Sequence, residues 1–575
     1  MSPIAALLLL GVIGSDTAGP ASGRARPNVV LIITDDQGYG DLSIHGNPVL
    51  ATPSMDSIAR DGVQLADFHV SPVCSPTRAS LMTGRYNYRT GVVDTYIGRS
   101  MMHPDEVTLA EMMASHGYTT GIFGKWHLGD CFPLRPNDQG FQEALVLKGG
   151  GIGQPSDPPG GTSYFDPILQ RNGQPARQKG HITDIITDAA NRFILENHGR
   201  PFFAYVAYNA PHTPLEVKDA DFARFRDLDL SHARFPRIGH ALPGKAQDES
   251  TARVYGLIAD IDRNVGRLLG AIDQAGLARD TIVVFLTDNG PQQARFNGGM
   301  LDRKGSVHEG GTRVPCFLRW PGHLPAGREV KQLAAHIDLL PTLLDACGLP
   351  RPEGVRLDGV SLLPLLIGDD VAWPDRTVYF QWHRGDIPEP GRAFAARSQD
   401  FKLVRPEGKK ELELYDMAAD RLEQHDIAGQ QPRRVEEMYA AYLKWFEDVR
   451  RDRNFQPPRI ILGDIREPIT TLTRQDWRGP RAGWNDDSLG YWEVRLVRDI
   501  RGEVGLTFLA PKSSARAHLR LGGLHLEKAI EPGETTCEWE GVEWPAGPAR
   551  LEAWISPEGT ADYGVRFVEV RSPAG

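Results

Sequence analysis

The 575-residue chain has few cysteines, and their positions exclude two common uses of this residue. No two of them form a C-x-x-C pair, and they number only five: Cys74, Cys131, Cys316, Cys347 and Cys537. The odd number and the wide spacing favour neither a disulfide framework nor a zinc site. If the protein is exported, at least one sulfur therefore stays unpaired or has another use.

Long apolar runs and an excess of basic residues are also missing. Beyond the N-terminus no stretch reaches the roughly 18 uninterrupted apolar residues of a membrane-spanning helix. Lys and Arg number 64 against 74 Asp and Glu, so the formal charge is −10, and this mild acidity gives no electrostatic footprint for DNA or RNA. The composition is that of a globular protein with two or three domains. We therefore expect no membrane span and no nucleic-acid partner.

The N-terminus resembles a signal peptide. Residues 4–13 form an apolar run that is too short to cross a bilayer, and small residues follow at positions 17–23. No positive charge precedes the run, which leaves a disordered or mis-started N-terminus as the alternative. We interpret residues 1–25 as a signal peptide and expect a periplasmic or extracellular protein.

Apolar runs alternate with helical patterns through the first 350 residues. The runs that indicate buried strands are 29–33, 119–123, 202–206 and 282–286, and the helical patterns are 53–60, 109–116, 183–197 and 254–275. This alternation predicts an α/β domain over residues 26–375, with a central, mostly parallel sheet flanked by helices. A Gly- and Pro-rich stretch at 149–161 predicts a long loop, either a surface insertion or a wall of an active-site pocket.

The pattern changes after residue 375. Short strands at 377–382, 402–404 and 412–415 precede an amphipathic helix at 432–450, which predicts a smaller α+β subdomain over 376–458. Alternating segments separated by turn residues then predict an appended antiparallel β domain, sandwich-like, over residues 464–573.

Polar residues follow each of the four buried strands. In chain order they are Asp35-Asp36, Lys125 and His127, Asn209 and His212, and Asp288-Asn289. The carboxyl ends of the strands of an open parallel sheet line one crevice, so these side chains are expected to converge. Clustered carboxylates repel one another unless a cation binds them, and carboxylate and amide oxygens favour Ca²⁺ or Mg²⁺. The sequence thus predicts a divalent cation site.

The segment Cys74-Ser75-Pro76-Thr77-Arg78 combines a cysteine with the start of a helix. Pro76 suits the first turn and Gly84 ends the pattern, so Cys74 is expected at the N-terminus with Arg78 one turn further on the same face. A cysteine in this setting is either a low-pKa thiolate or a small buried residue.

This segment, continuing through Thr83-Gly84-Arg85, resembles the C-x-P-x-R…TGR signature of the type I sulfatases, which belong to the alkaline phosphatase superfamily. Further matches lie in chain order and are highly specific in combination: ITDDQGYGD around Asp35-Asp36, GKWHLG from Gly124, NAPHTP around His212, Asp288-Asn289-Gly290, and DRKGSVHEGG around Lys304. The resemblance covers residues 27–450 and implies an alkaline-phosphatase-like mixed sheet.

The resemblance also implies a chemistry. A formylglycine-generating or anaerobic sulfatase-maturating enzyme would oxidise Cys74 to formylglycine, and Ser75 would belong to recognition by that enzyme. Asp35, Asp36, Asp288, Asn289 and modified Cys74 would bind one Ca²⁺. The hydrated aldehyde would attack the sulfur of a sulfated carbohydrate or aryl sulfate. The residues expected to bind sulfate and move protons are Arg78, Lys125, His127, His212 and Lys304, with His212 and Lys304 protonating the leaving alcohol and His127 taking the proton that lets the aldehyde reform.

Two other functions remain open from the sequence. One is a phosphodiesterase or phosphonate hydrolase of the same superfamily, which would combine the metal site with more histidine and aspartate ligands. The other is a non-catalytic polysaccharide-binding protein, for which the β domain and its Trp477, Trp484 and Trp492 are the argument. His308 is either a further pocket residue or a histidine satisfied within a loop.

Overall fold

The computed structural model describes residues 26–241, 248–369 and 371–572. The interpretation of residues 1–25 as a signal peptide lies outside the described residues. A ten-stranded mixed sheet forms the centre of the N-terminal region. Its strands, in spatial order, are Arg328–Val330, Val63–Leu65, Cys316–Arg319, Thr281–Thr287, Asn28–Thr34, Phe202–Ala207, Thr119–Lys125, Glu143–Leu147, Ile168–Arg171 and Gln174–Arg177.

The five middle strands are parallel, and both faces of this part of the sheet are buried. Asn28–Thr34 pairs in parallel with Phe202–Ala207 on one side and with Thr281–Thr287 on the other. Its alternate side chains enter different cores, because Val29 and Leu31 pack on one face while Val30 and Ile32 pack on the other. Double coverage explains why these strands are uninterrupted apolar runs in the sequence. The predicted mostly parallel mixed sheet is confirmed.

Helices cover both faces of the sheet. The α-helices among the described residues are Pro53–Arg60, Cys74–Thr83, Asn87–Thr90, Leu109–Ser115, Ile182–Glu196, Asp219–Phe222, Asp248–Gln274, Glu309–Thr312, Leu339–Ala346, Leu363–Ile367 and Pro432–Arg450. The helix Leu109–Ser115 begins at a capping box, in which the Thr108 side chain accepts from the Glu111 amide and the Glu111 carboxylate accepts from the Thr108 amide. A small two-stranded sheet joins Phe68–His69 to Ala334–Ala335.

A separate antiparallel sheet follows residue 375. Its four strands are Val378–Gln381, Phe394–Arg397, Phe401–Arg405 and Glu413–Asp416. The helix Pro432–Arg450 packs on this sheet, and the rings of Tyr442 and Phe394 stack with centroids 3.7 Å apart. The strand Phe394–Arg397 was absent from the sequence prediction because its Phe-Ala-Ala-Arg sequence has no β-branched residue.

Two further β-sheets form the C-terminal region. One contains Ile460–Leu462, Leu489–Leu496, Gly547–Pro557, Ala515–Leu521 and Leu524–Ile530, with Arg478–Arg481 and Tyr563–Gly564 attached, and the other contains Ile469–Thr473, Phe567–Arg571, Ile500–Thr507 and Thr536–Trp544. They share one apolar core that includes Trp477 and Trp492. Ile97 and Met101, from the N-terminal region, pack into the same core. The β region is therefore joined to the N-terminal region by buried contacts.

No helix within the described ranges has the length and apolarity needed to cross a membrane. None of the five cysteines, all of which are described, is in a disulfide.

Candidate active site

The predicted acidic residues lie side by side at the carboxyl ends of two adjacent central strands. Thr34 and Thr287 are register partners at the ends of these strands, so Asp35-Asp36 and Asp288-Asn289 leave the sheet together. The Asp288 amide donates to Thr34 O at 3.1 Å, and the Asp36 amide donates to Asp288 Oδ1 at 3.2 Å. All four side chains are completely buried.

Each of the three carboxylates has one cationic partner. Lys125 Nζ lies 2.5 Å from Asp35 Oδ2, and Lys304 Nζ lies 2.6 Å from Asp36 Oδ1. Arg78 donates to Asp288 Oδ2 through Nη2 at 2.8 Å and through Nε at 3.2 Å. The cations come from three separate elements.

The other sides of these groups carry oxygens that have no protein partner. Asp35 Oδ1, Asp36 Oδ2 and Asn289 Oδ1 are buried and accept no hydrogen bond. Leaving a buried oxygen unpaired costs roughly 1–3 kcal/mol, so three such atoms in one place need a partner. A carboxylate oxygen of Asp35, one of Asp288 and the sulfur of Cys74 also lie within 4.8 Å of one another. This donor set fits a hard divalent cation such as Ca²⁺.

The pKa values of the acids depend on their cationic neighbours. Burial by itself would raise the pKa of Asp36, but Lys304 and His212 hold that pKa well below its usual range. Burial, together with the neighbouring carboxylate of Asp35, raises the pKa of Asp288 to about 6 despite Arg78. The repulsion between adjacent carboxylates, which motivated the predicted cation, is therefore present in the folded protein.

Cys74 is the first residue of the buried helix Cys74–Thr83, whose C-cap Gly84 has the left-handed conformation (φ 65°). Burial raises the pKa of the Cys74 thiol, which Lys125 and Lys304 only partly counteract. A low-pKa thiolate is thus disfavoured at this position. Ser75, the next residue, donates through Oγ to His127 O at 2.7 Å, so its side chain supports the segment that carries His127.

His127 has a defined tautomer. Its Nε2 lies 2.7 Å from the carbonyl oxygen of Thr95, which can only accept, so Nε2 carries the proton. Its Nδ1 is buried and makes no hydrogen bond. Burial, with the charge of Lys125, lowers the pKa of His127 well below its ordinary value. His127 therefore presents a neutral ring with a free lone pair, which suits a proton acceptor.

His212 is oriented in the opposite sense. Its Nδ1 lies 2.6 Å from Thr213 O, and its Nε2 lies 3.8 Å from Asp36 Oδ2. Burial lowers the pKa of His212 to about 4, with Asp36 opposing this change and Lys304 adding to it. The Nδ1 proton is engaged, so any proton that His212 delivers must first be gained at Nε2.

Some of these residues line a pocket of about 510 Å³. Cys74, His127, His212 and Lys304 line it, whereas the acids, Asn289, Arg78 and Lys125 lie outside its lining. The glycine-rich loop also reaches the pocket. A Cβ on Gly150 would come within 2.6 Å of His127 Nε2, and one on Gly151 within 3.1 Å of His212 Nδ1. The loop is therefore a pocket wall, the second of the two interpretations left open by the sequence.

The pocket lining also contains residues outside this loop that no local sequence pattern singles out. They include Thr95, Tyr96, Thr213, Gln292, Arg303, Trp382, Arg384 and, from the C-terminal β region, Trp484. Of the three tryptophans noted in the sequence, Trp477 and Trp492 are completely buried in the β core, whereas Trp484 is 38% exposed. Trp492 lies in the strand Leu489–Leu496, and the Trp477 ring packs against Gly490 and Gly564. Contacts of this kind between distant residues are not displayed by a single sequence.

His308 lies away from the pocket. Its Nδ1 is 3.3 Å from Glu423 and its Nε2 is 3.5 Å from Glu413, in a buried charge network that also contains Lys402. Of the two interpretations of His308, the structure therefore supports a residue engaged in local charge contacts and not a pocket residue.

Comparisons with known proteins agree with this geometry. The family model described as Sulfatase matches residues 27–349, and the model described as N-sulphoglucosamine sulphohydrolase, C-terminal, matches residues 298–450. Arylsulfatase A of Bos taurus is 34% identical over 422 residues, 67% of this chain and 76% of the relative. N-acetylgalactosamine-6-sulfatase of Canis lupus familiaris is 32% identical over 421 residues, 67% of this chain and 74% of the relative.

A solved structure is similar over the same region. The crystal structure of Ps i-CgsB in complex with k-i-k-neocarrahexaose has a TM-score of 0.64 and 29% identity, and the match covers 75% of this chain and 94% of that one.

Proposed function

Because this chain belongs to the sulfatase family and is an enzyme that hydrolyses sulfate esters, we propose that it does so with a formylglycine at position 74 and a bound Ca²⁺. The observation that carries this proposal is the group of three buried, unpartnered oxygens on Asp35, Asp36 and Asn289. They lie at one end of the sheet, where Asp35 and Asp288 each place a carboxylate oxygen within 4.8 Å of the Cys74 sulfur.

The residues that would hold Ca²⁺ are Asp35, Asp36, Asp288, Asn289 and the modified Cys74. When bound, the ion supplies positive charge that polarises a hydroxyl group and neutralises sulfate oxygens. The hydrated aldehyde at position 74 supplies a nucleophilic hydroxyl and a second hydroxyl whose proton can be removed.

Three cations of the chain would bind and orient the sulfate. Lys304 lines the pocket directly. Arg78 is one helical turn after Cys74, and Lys125 is paired with Asp35, so both place positive charge beside position 74. Fixed charges of this kind stabilise the negative charge that develops on sulfate oxygens in the transition state.

Two histidines would move protons at stated atoms. His127 would accept a proton at Nδ1, because its Nε2 proton is held by Thr95 O. His212 would act with Lys304 on the leaving oxygen. The Lys304 ammonium already carries protons, whereas His212 must first gain one at Nε2, so we assign proton delivery to the pair.

The substrate class is a sulfated carbohydrate or an aryl sulfate. The comparison proteins include an N-acetylgalactosamine-6-sulfatase and a structure solved with neocarrahexaose, which favours the carbohydrate. We further propose that residues 26–375 form the catalytic domain, 376–458 a smaller subdomain and 464–573 an accessory domain. Residues 1–25 would direct export to the periplasm or beyond. A formylglycine-generating or anaerobic maturating enzyme would act on Cys74.

The test is hydrolysis by the wild-type protein and by Cys74→Ala. We expect the wild-type protein to hydrolyse 4-nitrophenyl sulfate faster than an aryl phosphate diester, and we expect Cys74→Ala to be inactive with an unchanged circular dichroism spectrum. Intact mass should show the thiol replaced by the lighter aldehyde. Unchanged sulfate hydrolysis in Cys74→Ala would refute the proposed nucleophile, and faster turnover of the diester would favour the phosphodiesterase alternative.

A further inference from the structure

One wall of the pocket that Cys74 lines is aromatic and cationic. Tyr96, Trp382 and Trp484 supply its rings, and Arg303 and Arg384 supply positive charge. Among the described residues that line the pocket there is no aspartate or glutamate. A pocket of this composition suits a ligand that has apolar ring faces and carries negative charge, and its volume of about 510 Å³ is larger than a sulfate group requires.

Trp484 reaches the pocket from the C-terminal β region. It lies in the loop between the strands Arg478–Arg481 and Leu489–Leu496. Its ring contacts Tyr96 edge to face, with centroids 5.2 Å apart and an interplanar angle of 81°. Its exposed fraction is 38%, whereas Trp477 and Trp492 of the same region are completely buried. The core of the β region is thus built without Trp484, whose indole remains open to a ligand.

Arg384 is held in place on the same wall. Its guanidinium lies 4.4 Å from the Tyr96 ring centroid and 4.9 Å from that of Trp382. Its Nη1 donates to the buried Asp94 Oδ1 at 2.7 Å, and Trp382 Nε1 donates to the same oxygen at 2.9 Å. The Arg384 side chain nevertheless remains 52% exposed. Within the described part of the chain its hydrogen bonds use Nη1 alone, so other N–H donors are available to an anion.

We propose that Trp484, Tyr96 and Arg384 form a subsite for a second sugar ring, next to the sulfated ring at Cys74, and that this second ring carries its own sulfate or carboxylate. The indole face of Trp484 packs against the C–H face of the sugar, and the Arg384 guanidinium pairs with the anionic group. This inference rests on the proposed function and narrows it to acidic oligosaccharides. It also gives the C-terminal β region a direct part in substrate binding.

The test measures binding and hydrolysis separately. Calorimetry measures dissociation constants with full-length protein carrying Cys74→Ala, so that turnover does not interfere. The ligands are sulfated hexasaccharides from carrageenan and from chondroitin sulfate, together with their desulfated forms. Trp484→Ala is expected to weaken the better ligand at least tenfold, while Trp484→Phe, which keeps an aromatic face, should weaken it less than threefold. Arg384→Ala should weaken the sulfated carrageenan hexasaccharide more than its desulfated form, whereas it should weaken both chondroitin forms, because desulfation leaves the chondroitin carboxylate in place.

The matched control is Val497→Ala, an exposed apolar residue of the same region that lies outside the pocket lining and should not change binding. The proposal is overturned if neither sulfated hexasaccharide binds, or if Trp484→Ala binds as tightly as the Cys74→Ala background. Failure of the proposed function would give a different result. Wild-type protein would then not hydrolyse 4-nitrophenyl sulfate, although Trp484→Ala could still weaken the binding of the oligosaccharide.

Discussion

Calcium is expected to stabilise the folded protein, and the size of this effect follows from the unpartnered oxygens at the carboxyl ends of the central strands. Asp35 Oδ1, Asp36 Oδ2 and Asn289 Oδ1 lack partners, and an unpaired buried polar group costs about 1–3 kcal/mol. If the ion relieves all three penalties, the free energy of unfolding increases by at most about 3–9 kcal/mol. The thermal midpoint should therefore rise when calcium replaces chelator.

The magnitude at a given concentration follows from linkage. At a free calcium concentration one hundred times the dissociation constant, the free energy of unfolding rises by about 2.7 kcal/mol. For a cooperative unit of roughly 350 residues, this corresponds to an increase of about 3–4 °C in the midpoint. Above the dissociation constant, each further tenfold in calcium should add about 1.4 kcal/mol.

The assay is thermal unfolding followed across a calcium series that begins in EGTA. Asp36→Asn, which removes the charge behind one unpartnered oxygen, should shift the rise to higher calcium. Asp227→Asn is the matched control, because the Asp227 side chain is 80% exposed and should leave the wild-type dependence intact. A wild-type midpoint that is the same in EGTA and in millimolar calcium would refute the inferred cation site.

Two further outcomes are expected. Gln475→Ala removes a 3.0 Å hydrogen bond to the same Thr95 carbonyl oxygen that orients His127. The loss of about 1–1.5 kcal/mol should lower kcat roughly five- to tenfold, with KM little changed. An unaltered kcat in steady-state kinetics would contradict this. Burial lowers the pKa of His336 from 6.5 to about 3. Between these pH values the unfolded chain binds a proton more readily than the folded protein does. The free energy of unfolding should therefore fall as the pH decreases through this window, by up to about 1.4 kcal/mol per pH unit. Urea unfolding at pH 7 and pH 5 should show a smaller loss in His336→Gln, and an equal loss in the two proteins would rule out this origin.

The central sheet and the acids at its edge could be predicted from the sequence because local patterns encode them. A strand that is covered on both faces is a continuous apolar run, as at Thr281–Thr287, and the polar pair that follows it must leave at the carboxyl end. The helix Cys74–Thr83 was likewise bounded by Gly84, which adopts a positive φ at its C-cap.

The aromatic wall of the pocket could not be predicted, because it depends on contacts between residues distant in the chain. Tyr96 and Trp484 are separated by almost four hundred positions, yet their rings touch. Two strands of the β region, Leu524–Ile530 and Thr536–Trp544, could not be predicted either. Much of each is exposed, and the apolar–polar alternation that each begins is interrupted, at Lys528 and at Gly541.

The carbonyl oxygen of Thr95 links the C-terminal β region to His127, the proposed proton acceptor, and this link matters to protein engineering. It accepts from His127 on one side and from Gln475 on the other. Shortening the chain before residue 475, or exchanging the region from residue 464 onward for that of a relative, would remove the Gln475 hydrogen bond. We expect this to loosen His127, the proposed proton acceptor, and to change the proposed oligosaccharide subsite. An engineered variant should therefore keep the C-terminal β region together with the segment that carries Thr95.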